Sequence, residues 1–126
     1  MVAEHPNATF VRDAWNAAGR GDAGAAAYLA DDIEWHEIGL DEPIVGKDAV
    51  LEHLATAHGW QVRPVLHDVL ASDDHACVLI KARATRDGRT FEYRVAEVYD
   101  LRDGKVVKRW SLSDDTPRIA AFFRPG

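Results

Sequence analysis

Apart from one short strand, apolar positions recur with a helical period before residue 60 and with a period of two after it, so the sequence predicts helices first and a sheet afterwards. Pro6 suits a first helical turn. Phe10, Ala14, Ala17 and Val11, Trp15, Ala18 then hold helical spacing until Gly19-Arg20-Gly21 stops them. Asp22 is a good N-cap for a second, short, alanine-rich helix ending near Leu29 and Ala30, with Asp31-Asp32 as the turn into a strand. In that strand Ile33, Trp35 and Glu37 share one face, while Glu34, His36 and Ile38 share the other. A third helix is predicted from Lys47 to His58 on the stripe Val50, Leu51, Leu54 and Ala55, with Gly59 as its stop.

Strands are predicted at 60–71, 75–86, 90–101 and 105–112. Two of their connections, Arg86-Asp87-Gly88-Arg89 and Arg102-Asp103-Gly104-Lys105, are strong hairpin signals. The third of these runs alternates clearly, with Phe91, Tyr93, Val95, Glu97, Tyr99 and Leu101 on one face. Glu97 therefore sits in the middle of an apolar stripe. Thr116 to Phe123 reads as a short closing helix. Helices followed by a long antiparallel meander make an α+β fold, with helices on one face of a strongly bent sheet.

Composition narrows the function. A chain of 126 residues that is 47% hydrophobic forms one domain, spanning 1–126, with a core that needs no staple. Fifteen Lys and Arg against 21 Asp and Glu give a net charge of -6, which repels nucleic acid and anionic membrane surfaces. No apolar run approaches the roughly 20 residues that span a bilayer. The single cysteine, Cys77, has no intrachain partner, and Met1 to Pro6 has neither an apolar nor a basic leader character, so a cytoplasmic protein is expected. No histidine stands at a recognised metal-ligand spacing; no metal and no cofactor are expected, and His53, His58 and His75 read as solvated or core residues.

The order of elements, with Gly21-Asp22, Leu29-Ala30-Asp31-Asp32, the Trp35-His36 strand, Gly46 before a helix, Asp103-Gly104-Lys105-Val106-Val107 and the segment Asp115 to Phe123, resembles the nuclear transport factor 2-like superfamily in its SnoaL-like branch. The resemblance covers nearly the whole chain. It implies a cone-shaped α+β barrel, three N-terminal helices packed on a strongly curved, mainly antiparallel sheet, around a deep apolar pocket, often in a homodimer. Within that superfamily the chain resembles the ketosteroid isomerases: Glu37, Glu42-Pro43 and Gly46 match the spacing of their catalytic acid and the residues after it. By the same resemblance Glu37 takes the general-base position and Glu97 that of the protonated acid which donates to an oxyanion. The helix-one tyrosine of those enzymes corresponds to Ala14 here.

Two carboxylates in an apolar hollow supply what enolisation, dehydration, double-bond migration or aldol closure requires: one ionised to take a proton from carbon, the other neutral to donate to the enolate oxygen. The expected function is a cofactor-independent acid/base isomerase, lyase or polyketide-cyclase-like enzyme acting on a small hydrophobic carbonyl compound. The alternative is a non-catalytic ligand-binding or dimerisation module of the same fold. For the same residues a structural reading stays open, in which Glu37 pairs with an arginine at the rim and Glu97 with Arg83 or another basic neighbour. A limonene epoxide hydrolase-like device, an arginine between two aspartates activating water, is a third possibility; Arg94 and Arg109 are present, but neither is placed between two aspartates. His36 joins the catalytic candidates because imidazole serves as acid or base near neutral pH. Trp15, Tyr28, Trp35, Tyr93, Tyr99 and Trp110 are candidate pocket walls, with His67, which alternates with Val65 and Val69. A homodimer is expected through the outer sheet face, where Cys77, Leu79, Ala96 and Val98 lie.

Overall fold

The computed structural model describes residues 4–19, 23–38, 40–55, 61–114 and 116–123. Helix α1 (Pro6–Gly19) begins where predicted: the His5 carbonyl accepts from the amides of Ala8 and Thr9, and its ring Nδ1 accepts from Asn7 N–H at 3.1 Å. The expected second helix is a 3-10 helix, Ala23–Tyr28, and Leu29 and Ala30 already belong to strand β1 (Leu29–Trp35). Asp31-Asp32 is accordingly not a turn before the strand. The pair is exposed within an irregularity of β1, whose register against the last strand shifts between Leu29 and Glu34, and Asp32 accepts from Arg102.

A two-residue strand, β2 (Ile44–Val45), was too short to leave a periodic signal. Helix α2 (Lys47–Ala55) follows; the predicted extension to His58 and the stop at Gly59 lie outside the described residues. Gly46 starts it. Its φ of +98 favours glycine, its N–H donates to the Ile33 carbonyl, and its own carbonyl accepts from Val50 N–H. That hinge sets α2 against the end of β1.

Strands β3 (Gln61–Ala71), β4 (His75–Arg86), β5 (Arg89–Arg102) and β6 (Lys105–Ser113) match the four predicted runs closely. Both Asp-Gly hairpins have positive φ at both central residues, the geometry that follows strand twist. Helix α3 (Thr116–Phe123) closes the chain. Among the described residues the α-helices are α1, α2 and the C-terminal α3, with the 3-10 helix in place of a third N-terminal one.

The sheet is curved, open and mostly antiparallel, in the order β2-β1-β6-β5-β4-β3, and only β1 with β6 is parallel. Its inner face carries a core of Ile33, Val69, Ala76, Val78, Ile80, Tyr99 and Val106, packed with Ala8 and Val11 of α1 and Val50 of α2. A second cluster of Ala84, Phe91, Ile119 and Phe122 seats α3, whose Phe122 carbonyl accepts from Arg86 at 3.1 Å. No helix among the described residues is long and apolar enough to cross a membrane.

Candidate functional site

Four elements meet where β1 ends. Register places Trp35 opposite Arg109 and Arg109 opposite Tyr99, and on the next inward row Ser111 opposite Glu97. The phase of β6 depends on a bulge. Leu101 pairs with Val106 but Asp100 pairs with Lys108, so Val107 is the extra residue and inward pointing passes from Val106 to Arg109. Without it Lys108 and Trp110 would face inward and Arg109 outward.

Glu37, just beyond β1, is tied through one oxygen. Its Oε2 accepts from Trp35 Nε1 at 2.9 Å and from His53 Nε2, on α2, at 3.0 Å, while its Oε1 lies 3.8 Å from Arg109 Nη1. Glu97 is engaged through both: Tyr99 OH donates to Oε1 at 2.5 Å and Arg109 Nη2 donates to Oε2. Arg109 also donates from Nη1 to the His36 carbonyl at 3.1 Å and stacks over the Trp35 ring at 4.3 Å. Its side chain is 7% exposed, against 14% for Glu97 and 31% for Glu37. The guanidinium thus bridges two acids on the helix-covered face.

Burial opposes the Arg109 charge, but the Glu97 and Glu37 carboxylates outweigh it and lift its pKa above the ordinary arginine value. Tyr93, on the same face of β5, has its hydroxyl pushed up to about 12, by burial first and then by the charges of Glu37 and Glu97. Burial likewise raises Tyr99 well above the usual phenol range, with Glu97 adding to it. Both are proton-bearing hydroxyls at neutral pH. A raised folded-state value means that stability is intact below the unfolded phenol value near 10 and is lost as pH rises through the folded one. An absorbance titration of tyrosinate is therefore expected to show a step near pH 12 that belongs to Tyr93. Phe substitution of Tyr93 removes the step near 12; a Tyr93 that ionises near 10 contradicts the burial argument.

Trp35, Glu37, Tyr93, Glu97 and Tyr99 are thus gathered in one place, and His36, His67 and Trp110 are not among them. The His36 ring is 4.0 Å from Glu34, on the opposite side of β1 from Trp35. His67 is exposed, because a register shift between Leu66 and Asp68 breaks the expected alternation: Val65 is exposed while Val69 is buried. Trp110 pairs with Val98 on the outer face, for the reason the β6 bulge gives. Tyr28 packs its ring on Phe10, with centroids 5.1 Å apart, and Trp15 packs against the main core. Glu97 is held inside the protein through both oxygens, by Tyr99 and by Arg109. Its cation is Arg109 and not Arg83, which stands opposite Glu92.

His53 and Ser111 were not singled out from the sequence as site residues, and Arg109 was named there only beside Arg94, as a cation for the epoxide hydrolase-like device. The available signal was the need of two inward acids for a cation. Among the described residues no group of three or more His, Cys, Asp or Glu side chains is placed to hold a metal ion.

A family model described as "SnoaL-like domain" matches residues 8–109. No curated protein matches the sequence. Among solved structures the chain is similar to an NTF2-like protein of unknown function from Burkholderia pseudomallei, with 23% identity, 93% of this chain and 96% of that one covered, and a TM-score of 0.80. It is also similar to a Mesorhizobium loti protein provisionally assigned as a SnoaL-like polyketide cyclase (22% identity, 86% and 99% covered, TM-score 0.70). A computationally designed 17-OHP binder is similar as well (22% identity, 82% and 88% covered, TM-score 0.67). These likenesses concern the fold.

Proposed function

The chain belongs to the SnoaL-like domain family, and from that premise we propose that it binds a small hydrophobic carbonyl compound and acts on it as a cofactor-independent acid/base isomerase, lyase or cyclase. One observation carries the reading: Glu37 has one oxygen fixed by Trp35 and His53 and the other turned toward a buried arginine. A base held in this way keeps its free oxygen in a set direction. In the proposed step Glu37 Oε1 takes a proton from the carbon next to the carbonyl, the C–H electron pair becomes the C=C bond, and the carbonyl π pair moves to oxygen. The Arg109 charge and the protonated Tyr93 hydroxyl stabilise that oxygen, and return of the proton to another carbon, loss of a leaving group or ring closure completes the reaction. Glu97 is a positioning residue here, holding the guanidinium through Oε2 and itself held by Tyr99.

The test is proton exchange: in heavy water the protein should catalyse loss of the α-proton signal from members of a panel of cyclic ketones and enones. Binding of these compounds with no exchange in any of them would leave the non-catalytic binder, a role that the designed 17-OHP binder on this fold supports. The bridging of Glu37 and Glu97 by Arg109 favours one second reading, activation of water toward an epoxide; label from heavy-oxygen water in a diol product would distinguish it.

A second copy of the chain is the proposed partner. On the outer face Leu70, Cys77, Val98 and Trp110 form one cross-strand row and Leu79, Ala96 and Leu112 the next, with Leu70 and Leu112 exposed. Sedimentation is expected to give a dimer at micromolar concentration. A monomer there, with Leu112→Glu changing nothing, contradicts this interface.

A further inference from the structure

Two buried polar atoms on the inner face of β6 have no hydrogen-bonding partner among the described residues: Arg109 Nε and Ser111 Oγ. They sit two residues apart on one strand, beside Glu97 and within the charge cluster already described. Buried donors are almost always satisfied, and each one left unmade is costly. Arg109 Nη1 and Nη2 each have a protein acceptor, whereas its buried Nε has none. Ser111 stands across from Glu97, yet no hydrogen bond joins them. Neither group therefore serves the internal network.

We propose that Arg109 Nε and Ser111 Oγ form the subsite that grips the ligand's oxygen, which makes Ser111 a catalytic residue. Both donate to the same oxygen, so the subsite selects a flat hydrophobic ligand bearing a carbonyl, enol or phenol oxygen over one of equal shape without it. The identity of that oxygen as the one gaining charge rests on the acid/base reading; its binding does not. In the proton-transfer step the two donors meet the oxygen as the carbonyl π pair arrives there, while Glu37 keeps the proton.

The experiment uses two naphthalenes of equal shape, 2-naphthol and 2-methylnaphthalene, titrated into the full chain by fluorescence. Ser111→Ala is expected to weaken 2-naphthol about tenfold and to leave 2-methylnaphthalene within about twofold, the size of one hydrogen bond to a neutral oxygen. Its melting temperature should be equal or higher, since an unpartnered buried hydroxyl has been removed. Equal losses for the two probes, no loss for either, a lowered melting temperature, or wild-type protein that fails to bind 2-naphthol at millimolar concentration would each overturn the subsite. Glu37→Gln separates the two claims: it should abolish exchange and keep 2-naphthol binding. Discrimination between the probes by Ser111 in a protein that catalyses no exchange upholds the subsite and removes the acid/base reading. Exchange in a protein whose probe binding ignores Ser111 does the reverse.

Discussion

Replacing Arg109 by methionine is expected to lower folding stability by about 3–5 kcal/mol, because it leaves the sequestered Glu97 carboxylate without its cation. For a domain of this length that corresponds to a fall of about 10–20 °C in melting temperature. The cost lies in the stranded acid more than in the loss of an attraction, since a buried ion pair contributes little net stability over a well-packed apolar pair. The double variant with Glu97→Met is therefore expected to recover most of the loss. Glu37 does not need the same rescue, because it keeps Trp35 and His53 and is more open to water. Urea unfolding of the two single variants and the double measures this directly. A loss below about 1 kcal/mol in the Arg109 variant would mean that Glu97 finds water or another donor, and the bridge would then not be what holds the site together.

Exchange of the α-proton should fall by about a thousandfold or more in Glu37→Gln, the scale of a lost general base. The substitution keeps shape and a carbonyl acceptor for the Trp35 and His53 donors, so stability and ligand affinity are expected to change little. Loss of exchange with retained binding is a base's signature, whereas parallel loss of both points to a structural acid. His53→Asn should have a smaller effect, because Trp35 still fixes the same oxygen. Unchanged exchange in Glu37→Gln removes Glu37 from the mechanism.

The fold was legible because its strongest signals are local. Asp87-Gly88 and Asp103-Gly104 announce hairpins by residue type alone, and strands β4 and β5 show their period over 12 and 14 residues. The meeting of Glu37 and Glu97 was accessible for the same reason: each lies on a countable face. What alternation cannot register is a change of phase. One extra residue at Val107 exchanges the faces of Arg109 and Trp110, and another irregularity at His67 moves that imidazole outward. A bulge has no composition of its own in these strands, so the central cation and one supposed pocket wall were exchanged. His53 was obscured differently. On a helix its direction is legible, but its acceptor belongs to a strand end 16 residues earlier, and only the Gly46 hinge brings the two together.

The lone parallel contact of the sheet ties the chemistry to the history of the chain. Arg109 and His36 are joined by a hydrogen bond across 73 positions, whereas the hairpins on the other side of the sheet close over two-residue turns. Closing so long a loop costs more conformational entropy and is slower than zipping neighbours together. A molecule in which every hairpin has formed but the first strand is still adrift holds its guanidinium with only one of two counter-ions and its base without a facing charge. Site and fold are completed together: the three charged groups do not meet in part, and no excised ribbon of the sheet inherits their arrangement.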